Sequence, residues 1–138
     1  MVDVEQLRYA WPRAGDDCLV VDRLTVGAGR TLFLQGPSGC GKSTLLGLLA
    51  GVLVPRTGRV RMMGSDWSRL SGAQRDAFRA DHVGYIFQQF NLLPYLSVVD
   101  NVLLPCRFSS RRRQRAAEQG GTPAQAAHSL LARVGLPA

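Results

Sequence analysis

The sequence is short of lysine, of paired cysteine and of long apolar runs, and each shortage excludes a class of protein. Of its 17 Lys+Arg residues only Lys42 is a lysine, so the positive charge is carried almost wholly by arginine. Cys18, Cys40 and Cys106 are odd in number and lack CxxC spacing. That pattern excludes a disulfide scaffold and points to free thiols in a reducing compartment. The longest apolar run, residues 45–54, contains two glycines and falls well short of the roughly 20 residues that cross a bilayer. Residues 1–5 carry neither a basic n-region nor an apolar h-region, which argues against secretion. The expectation is a cytoplasmic protein whose membrane role, if it has one, comes through a partner.

What is present begins with 138 residues, 46% of them hydrophobic, and a net charge of +7. These values suit one globular domain and exclude disordered and collagen-like chains. A basic chain raises the thought of nucleic acid or an anionic membrane. Here, however, Arg107, Arg111, Arg112, Arg113 and Arg115 fall within one short stretch. Charge runs of this kind are usually solvated, and the run followed by Gly120-Gly121 reads as a linker.

Residues 2–11 and 19–26 read as strands separated by a Gly-Asp-Asp turn. Residues 31–35 form a continuous apolar segment, the pattern of a strand buried on both faces. Leu45, Leu46, Leu48 and Leu49 predict a largely buried helix over 42–52, and 59–63 reads as a strand. Ser71 with Gln74 has the form of a capping box opening a helix to about residue 80. Residues 83–87 predict another strand, and 91–95 a loop. Ser97 is placed to cap a helix reaching residues 102–106. Thr122-Pro123 with Gln125 predicts a last helix to about Val134.

Between the apolar segment and the first helix stands Gly36-Pro37-Ser38-Gly39-Cys40-Gly41-Lys42-Ser43-Thr44, which satisfies GxxxxGK[ST] in the strand–loop–helix context the motif requires. Glycines let successive backbone N–H groups close on a polyphosphate, and the helix N-terminus adds partial positive charge. Lys42 can reach the β- and γ-phosphates, and the Ser43 hydroxyl can ligate Mg²⁺. That the only lysine stands here is informative, because a compact ammonium and a planar guanidinium are not interchangeable. Nucleotide binding is expected.

With residues 36–46, the stretch Val83-Gly84-Tyr85-Ile86-Phe87-Gln88-Gln89-Phe90-Asn91-Leu92-Leu93-Pro94 resembles the ATP-binding-cassette (ABC) transporter ATPases, and most of all their lipoprotein-release and macrolide-export type. Asn101-Val102 fits the same subfamily pattern. The resemblance covers essentially the whole chain. It implies an α/β fold: a P-loop NTPase core with an antiparallel β subdomain and the start of a helical subdomain, incomplete. Residues 1–138 would form one truncated ATP-binding domain, with 1–91 holding the β subdomain and core through the Q-loop, and 92–138 opening the helical subdomain.

The resemblance also implies roles. Gln88, directly after its apolar segment, would ligate Mg²⁺, help place the attacking water and sense the transporter subunit; Gln89 is the competing position. Trp11 matches the aromatic that stacks on adenine, with Tyr9 as the alternative. Gly36 to Thr44 would hold ATP, with Lys42 and Gln88 serving hydrolysis and Ser43 and Gln88 the metal. The implied protein is a transport ATPase that couples Mg-ATP hydrolysis to export through a transmembrane permease subunit. It would pair with a second ATP-binding subunit at the inner face of the cell membrane, with no nucleic-acid partner.

Two further segments imitate family motifs. Leu70-Ser71-Gly72-Ala73-Gln74 looks like the signature LSGGQ but precedes the Q-loop, so it reads as an ordinary capped helix. Leu19-Val20-Val21-Asp22 looks like a Walker B strand but precedes the phosphate loop. After Gln88 the only acidic residues are Asp100 and Glu118, and neither follows an aliphatic strand. His82 and His128 read as surface residues rather than a switch histidine. With one side of the hydrolytic site written in it, the 138-residue chain is expected to be an N-terminal portion, inactive as an ATPase on its own. Two other classes share some of these features: a non-transport ABC ATPase acting on nucleic acid, and a nucleotide-binding module that does not hydrolyse. The transported cargo is not legible in these residues.

Overall fold

The structure, a computed structural model, describes residues 1–89 and 91–136. The chain divides into two compact units, 1–75 and 76–138.

The first unit is built on β1 (Val2–Tyr9), β2 (Leu19–Val26), β3 (Thr57–Met62) and β4 (Ser65–Asp66), an antiparallel sheet in the order β2-β1-β3-β4. Alternation along the strands sets its two faces. Val4, Leu7 and Tyr9 of β1 and Val60 of β3 point into the core, while Asp3, Glu5, Arg59 and Arg61 carry charge on the opposite face. There Arg61 donates to Glu5 at 2.9 Å and lies 4.0 Å from Asp3, whose other oxygen accepts from Thr25. The β1–β3 register shifts between Glu5 and Arg8, with Gln6 at φ 48°. Gly58 makes this close approach possible: at φ +84°, a Cβ there would stand 2.2 Å from the Gln6 carbonyl oxygen. Met63 and Gly64, both at positive φ, turn β3 into β4 as a two-residue hairpin of the type whose twist matches its strands.

Against this sheet packs α1 (Lys42–Leu49), with Leu45 and Leu48 buried. Trp67, fully buried in a 3-10 turn over Trp67–Arg69, locks the far end of α1 by donating from its indole to the Leu49 carbonyl at 3.3 Å. Gly51 passes beneath the ring, where an added Cβ would be 3.1 Å from it. α2 (Gly72–His82) opens on the expected capping box, closed in both directions. Ser71 N–H donates to Gln74 Oε1 at 2.8 Å, and Gln74 N–H donates to Ser71 Oγ at 3.3 Å. The LSGGQ look-alike is thus a helix start. Asp22 of the Walker B look-alike is exposed in the middle of β2.

The second unit holds the rest of α2 and three helices, α3 (Val98–Phe108), α4 (Ser110–Gly120) and α5 (Pro123–Arg133), which pack on one another. Ser97 and Thr122 cap α3 and α5 through the N–H groups of Asp100 and Gln125, as the sequence predicts. Pro123 sits at the first helical turn of α5. Gly120 stands where a Cβ would come within 2.8 Å of Ala126, so α4 and α5 meet almost backbone to backbone.

Three expectations need correction. Residues 31–35 and 83–87 form no ladder; their apolar side chains stand in the open, Phe33 82% and Ile86 97% exposed. A strand that is apolar on both faces needs neighbours that cover them, and none of the described strands pairs with either segment. The arginine run is not a linker: Arg107 ends α3 and the other four lie in α4. Ser109, 2% exposed, caps α4 and donates to Asp81 at 2.6 Å. Arg112 donates to the carbonyls of Ala80 and Val83, Arg113 to that of Cys106, and Arg107 pairs with Asp100. Arginine side chains here satisfy helix-end carbonyls, which helix termini leave without partners. Finally, His82 is half-buried, stacked on Phe78 with Arg111 3.3 Å from its Nδ1; His128 is exposed, as expected.

Candidate functional site

The site in the first unit grows out of a helix that starts without a side-chain cap. Gly41 takes the N-cap position of α1 at φ 93°, a left-handed conformation suited to glycine, and has no side-chain oxygen to offer. The N–H groups of Lys42, Ser43 and Thr44 therefore have no acceptor among the described residues. An acceptor from outside the chain is what such a terminus lacks.

The loop ahead of it is shaped to leave that space open. Cys40 N–H turns back to the Pro37 carbonyl at 3.4 Å, and Gly39 also has positive φ, +82°. Gly36 lets the loop fold over itself: a Cβ there would meet Cys40 Sγ at 2.8 Å. Lys42 reaches back across the loop, its Nζ donating to the carbonyls of Gly36 at 2.8 Å and Pro37 at 2.7 Å, with Cys40 Sγ at 3.7 Å. The ammonium is thus held by carbonyls of the loop that leads into the α1 N–H groups without acceptors. Ser38, Gly39, Cys40 and Ser43 are exposed, and Thr44 is half-buried. Free N–H donors, an ammonium and a serine hydroxyl at one helix start suit a polyphosphate with its metal.

Contacts within the unit lead from the loop towards the end of β1. A Cβ on Gly41 would lie 3.2 Å from Leu19 Cδ1 and 3.9 Å from the Cys18 carbonyl. Cys18 N–H in turn donates to the Tyr9 carbonyl at 2.8 Å. Tyr9 and Trp11 meet edge to face, centroids 5.2 Å apart. Of the two aromatic candidates, Tyr9 is buried in the sheet and Trp11 is 48% exposed. Burial also raises the Tyr9 phenol above its ordinary pKa, making it a weaker acid, with the neighbouring Cys18 as a second cause.

Gln88 and Gln89 belong to the second unit, both exposed on a bend after residues 83–87. Phe90 of the same stretch lies outside the described residues. Beyond it, Asn101 does what the sequence reading did not anticipate. Its side chain accepts from Leu93 N–H at 2.8 Å and donates to the carbonyls of Leu93, Leu96 and Ser97. One amide on α3 thereby fixes the loop over 93–97. The only sequence signal for this was the Asn-Val pair within the family pattern.

Comparison with known proteins decides what these elements belong to. The family model described as "ABC transporter" matches residues 21–138. This chain is a member of the ABC transporter family. An uncharacterized ABC transporter ATP-binding protein of Mycobacterium tuberculosis (strain H37Rv) is 42% identical over 113 residues, covering 82% of this chain and 32% of the relative. The macrolide export ATP-binding/permease protein MacB of Chlorobaculum tepidum is 45% identical over 89 residues, covering 64% of the chain and 14% of MacB. Among solved structures, the ATP-binding cassette MJ0796, a dimer in a post-hydrolysis state bound to ADP and Pi, superposes with a TM-score of 0.73 at 31% identity. The match covers 86% of this chain and 55% of that one.

The chain therefore spans about a third or less of the curated relatives it matches and about half of the cassette. Its fold is α/β, part of an ABC ATPase domain, of the kind shared with macrolide-export relatives. No helix among the described residues is long and apolar enough to cross a membrane.

Proposed function

We propose that this chain carries one half of the nucleotide site of an ABC export motor, with ATP held by residues 36–44. The observation that supports this most is the α1 terminus: three N–H groups without acceptors, preceded by a loop whose carbonyls hold the Lys42 ammonium. Phosphate oxygens would replace the Gly36 and Pro37 carbonyls as partners of Lys42. Ser43 would hold Mg²⁺, with Gln88 as a second ligand from the Q-loop. Bound Mg-ATP would supply the transferable phosphoryl group and the neutralising cation. Trp11, the exposed aromatic of the pair, would take the adenine face by stacking.

In this reading residues 1–138 form part of a single ATP-binding domain, with 92–138 opening its helical subdomain. A second ATP-binding subunit and a transmembrane permease complete the machine, at the inner face of the cell membrane. The MacB relatives are named as ATP-binding/permease proteins, and the MJ0796 cassette as a dimer; both names support this assembly. A role on nucleic acid loses its footing, since arginines 107, 112 and 113 serve helix ends and an aspartate.

Cys40 provides the test. Its thiol lies inside the loop, 3.7 Å from Lys42 Nζ, so a bulky adduct would occupy the phosphate space. Saturating Mg-ATP should slow alkylation of Cys40, while Cys18 and Cys106 keep their rates, as read by peptide mass spectrometry. Equal labelling of Cys40 with and without ATP would remove the reading.

A further inference from the structure

On the face of the sheet opposite the core, a cleft of about 230 Å³ is lined by Arg59, Arg61, Gly64, Asp66 and Arg69. None of these residues belongs to the phosphate loop. We propose that this cleft is a second anion site, which takes a phosphate-bearing ligand between the guanidinium groups of Arg59 and Arg69.

The argument rests on which charges are already satisfied. Arg61 is engaged by Glu5 and Asp3, and Asp3 is further held by Thr25. The guanidinium groups of Arg59 and Arg69 make no hydrogen bond or salt bridge among the described residues. Among the described residues, Asp66 is the only carboxylate lining the cleft. Its Oδ1 is occupied by Ser68, which donates through its N–H at 2.9 Å and its hydroxyl at 2.7 Å. Burial would raise the Asp66 carboxyl, but these bonds and the charges of Arg69 and Arg59 outweigh it and hold the group below its ordinary value. Both arginines are thus near enough to be felt by the carboxylate, yet their planar donor forks stay unused. Such forks match phosphate oxygens in pairs.

The fold fixes this arrangement. Arg59 and Arg61 share a face of β3 because they are two residues apart. Arg69 ends the 3-10 turn that the buried Trp67 anchors. Gly64 in the hairpin has nothing within 4 Å of where its Cβ would be, so the mouth of the cleft stays open.

The ligand class has two sources, a soluble phosphate ester and an anionic lipid headgroup, which the test separates. Lys42→Ala is introduced first, to weaken the phosphate loop as a competing site. Pyrophosphate is then titrated into this chain by calorimetry, and vesicles with or without phosphatidylglycerol are tested by sedimentation. Saturable uptake of either probe is expected, weakened about tenfold or more by Arg59→Gln or Arg69→Gln alone, the loss of one charge-assisted contact, and further by the two replacements together. Asp66→Asn, which keeps the acceptor for Ser68, should tighten binding, an effect that a purely structural role of the cleft does not produce. Uptake of pyrophosphate alone assigns a soluble ester; uptake of anionic vesicles alone assigns a headgroup. No saturable uptake of either, or uptake indifferent to the two arginine replacements, overturns the proposal. Neither result bears on ATP binding at residues 36–44, which the Cys40 protection experiment reads separately.

Discussion

At the scale of single residues, position and exposure separate candidates that sequence leaves side by side. Tyr9 and Trp11 are both aromatic and two residues apart, but Tyr9 is buried and only Trp11 is exposed to solvent. Trp11→Ala should therefore weaken ATP binding about tenfold, a loss on the scale of one aromatic stacking contact, whereas Tyr9→Phe should leave it unchanged. Fluorescent-nucleotide titration reads both. Gln88→Ala in the complete cassette should lower turnover about 10–100-fold, the usual cost of disturbing a metal's surroundings, with little change in ATP affinity. Steady-state kinetics with separate kcat and KM checks it.

Two titrating groups add a pH signature. Asp66 is held below its ordinary value, so its contribution to stability is full above about pH 4 and is lost as pH falls further. Tyr9 is held above its ordinary value, so its contribution is full below about pH 10 and is lost as pH rises beyond it. Melting curves across pH should show both limbs, the acid one flattened by Asp66→Asn and the alkaline one by Tyr9→Phe.

At the scale of elements, capping chemistry was legible and sheet completeness was not. Ser71, Ser97 and Thr122 each cap the helix they announce, because capping is a local bargain between a hydroxyl and an N–H group a few residues on. Residues 31–35 and 83–87 have the composition of buried strands, yet a ladder needs partners far away in sequence, and the described residues hold none. The arginine run departs from its sequence expectation for a related reason. Charge alone suggests a solvated linker, but Arg112 serves the carbonyls at the end of α2, 29–32 residues earlier, a pairing that only the fold reveals. Arg112→Gln should destabilise the second unit by about 1.5–3 kcal/mol, the range for hydrogen bonds to a charged group, as measured by denaturant titration. Gly58→Ala should cost more than the 1–3 kcal/mol or so of a strained φ alone, since its Cβ would overlap the Gln6 carbonyl.

At the scale of the whole molecule, the phosphate loop depends on how α1 is seated. The sheet supplies Val60, the 3-10 turn supplies Trp67, and Gly51 lets that ring close over the end of the helix. Trp67→Ala should cost about 3–5 kcal/mol and reduce nucleotide binding through the fold, not through contact. The glycine-rich motif and the helix after it were legible in the sequence, whereas the strand expected before it, residues 31–35, has no pairing partner among the described residues. What sequence could not supply was the resting state of Lys42, folded back on the carbonyls of Gly36 and Pro37. The most direct test of the central claim is calorimetric titration of ATP into the chain and into its Lys42→Ala variant, with folding verified by circular dichroism. Saturable binding to the chain that is weakened about 100-fold or more, roughly 2.7 kcal/mol, by removing the one ammonium is the predicted result. Equal affinity of the two proteins would contradict it.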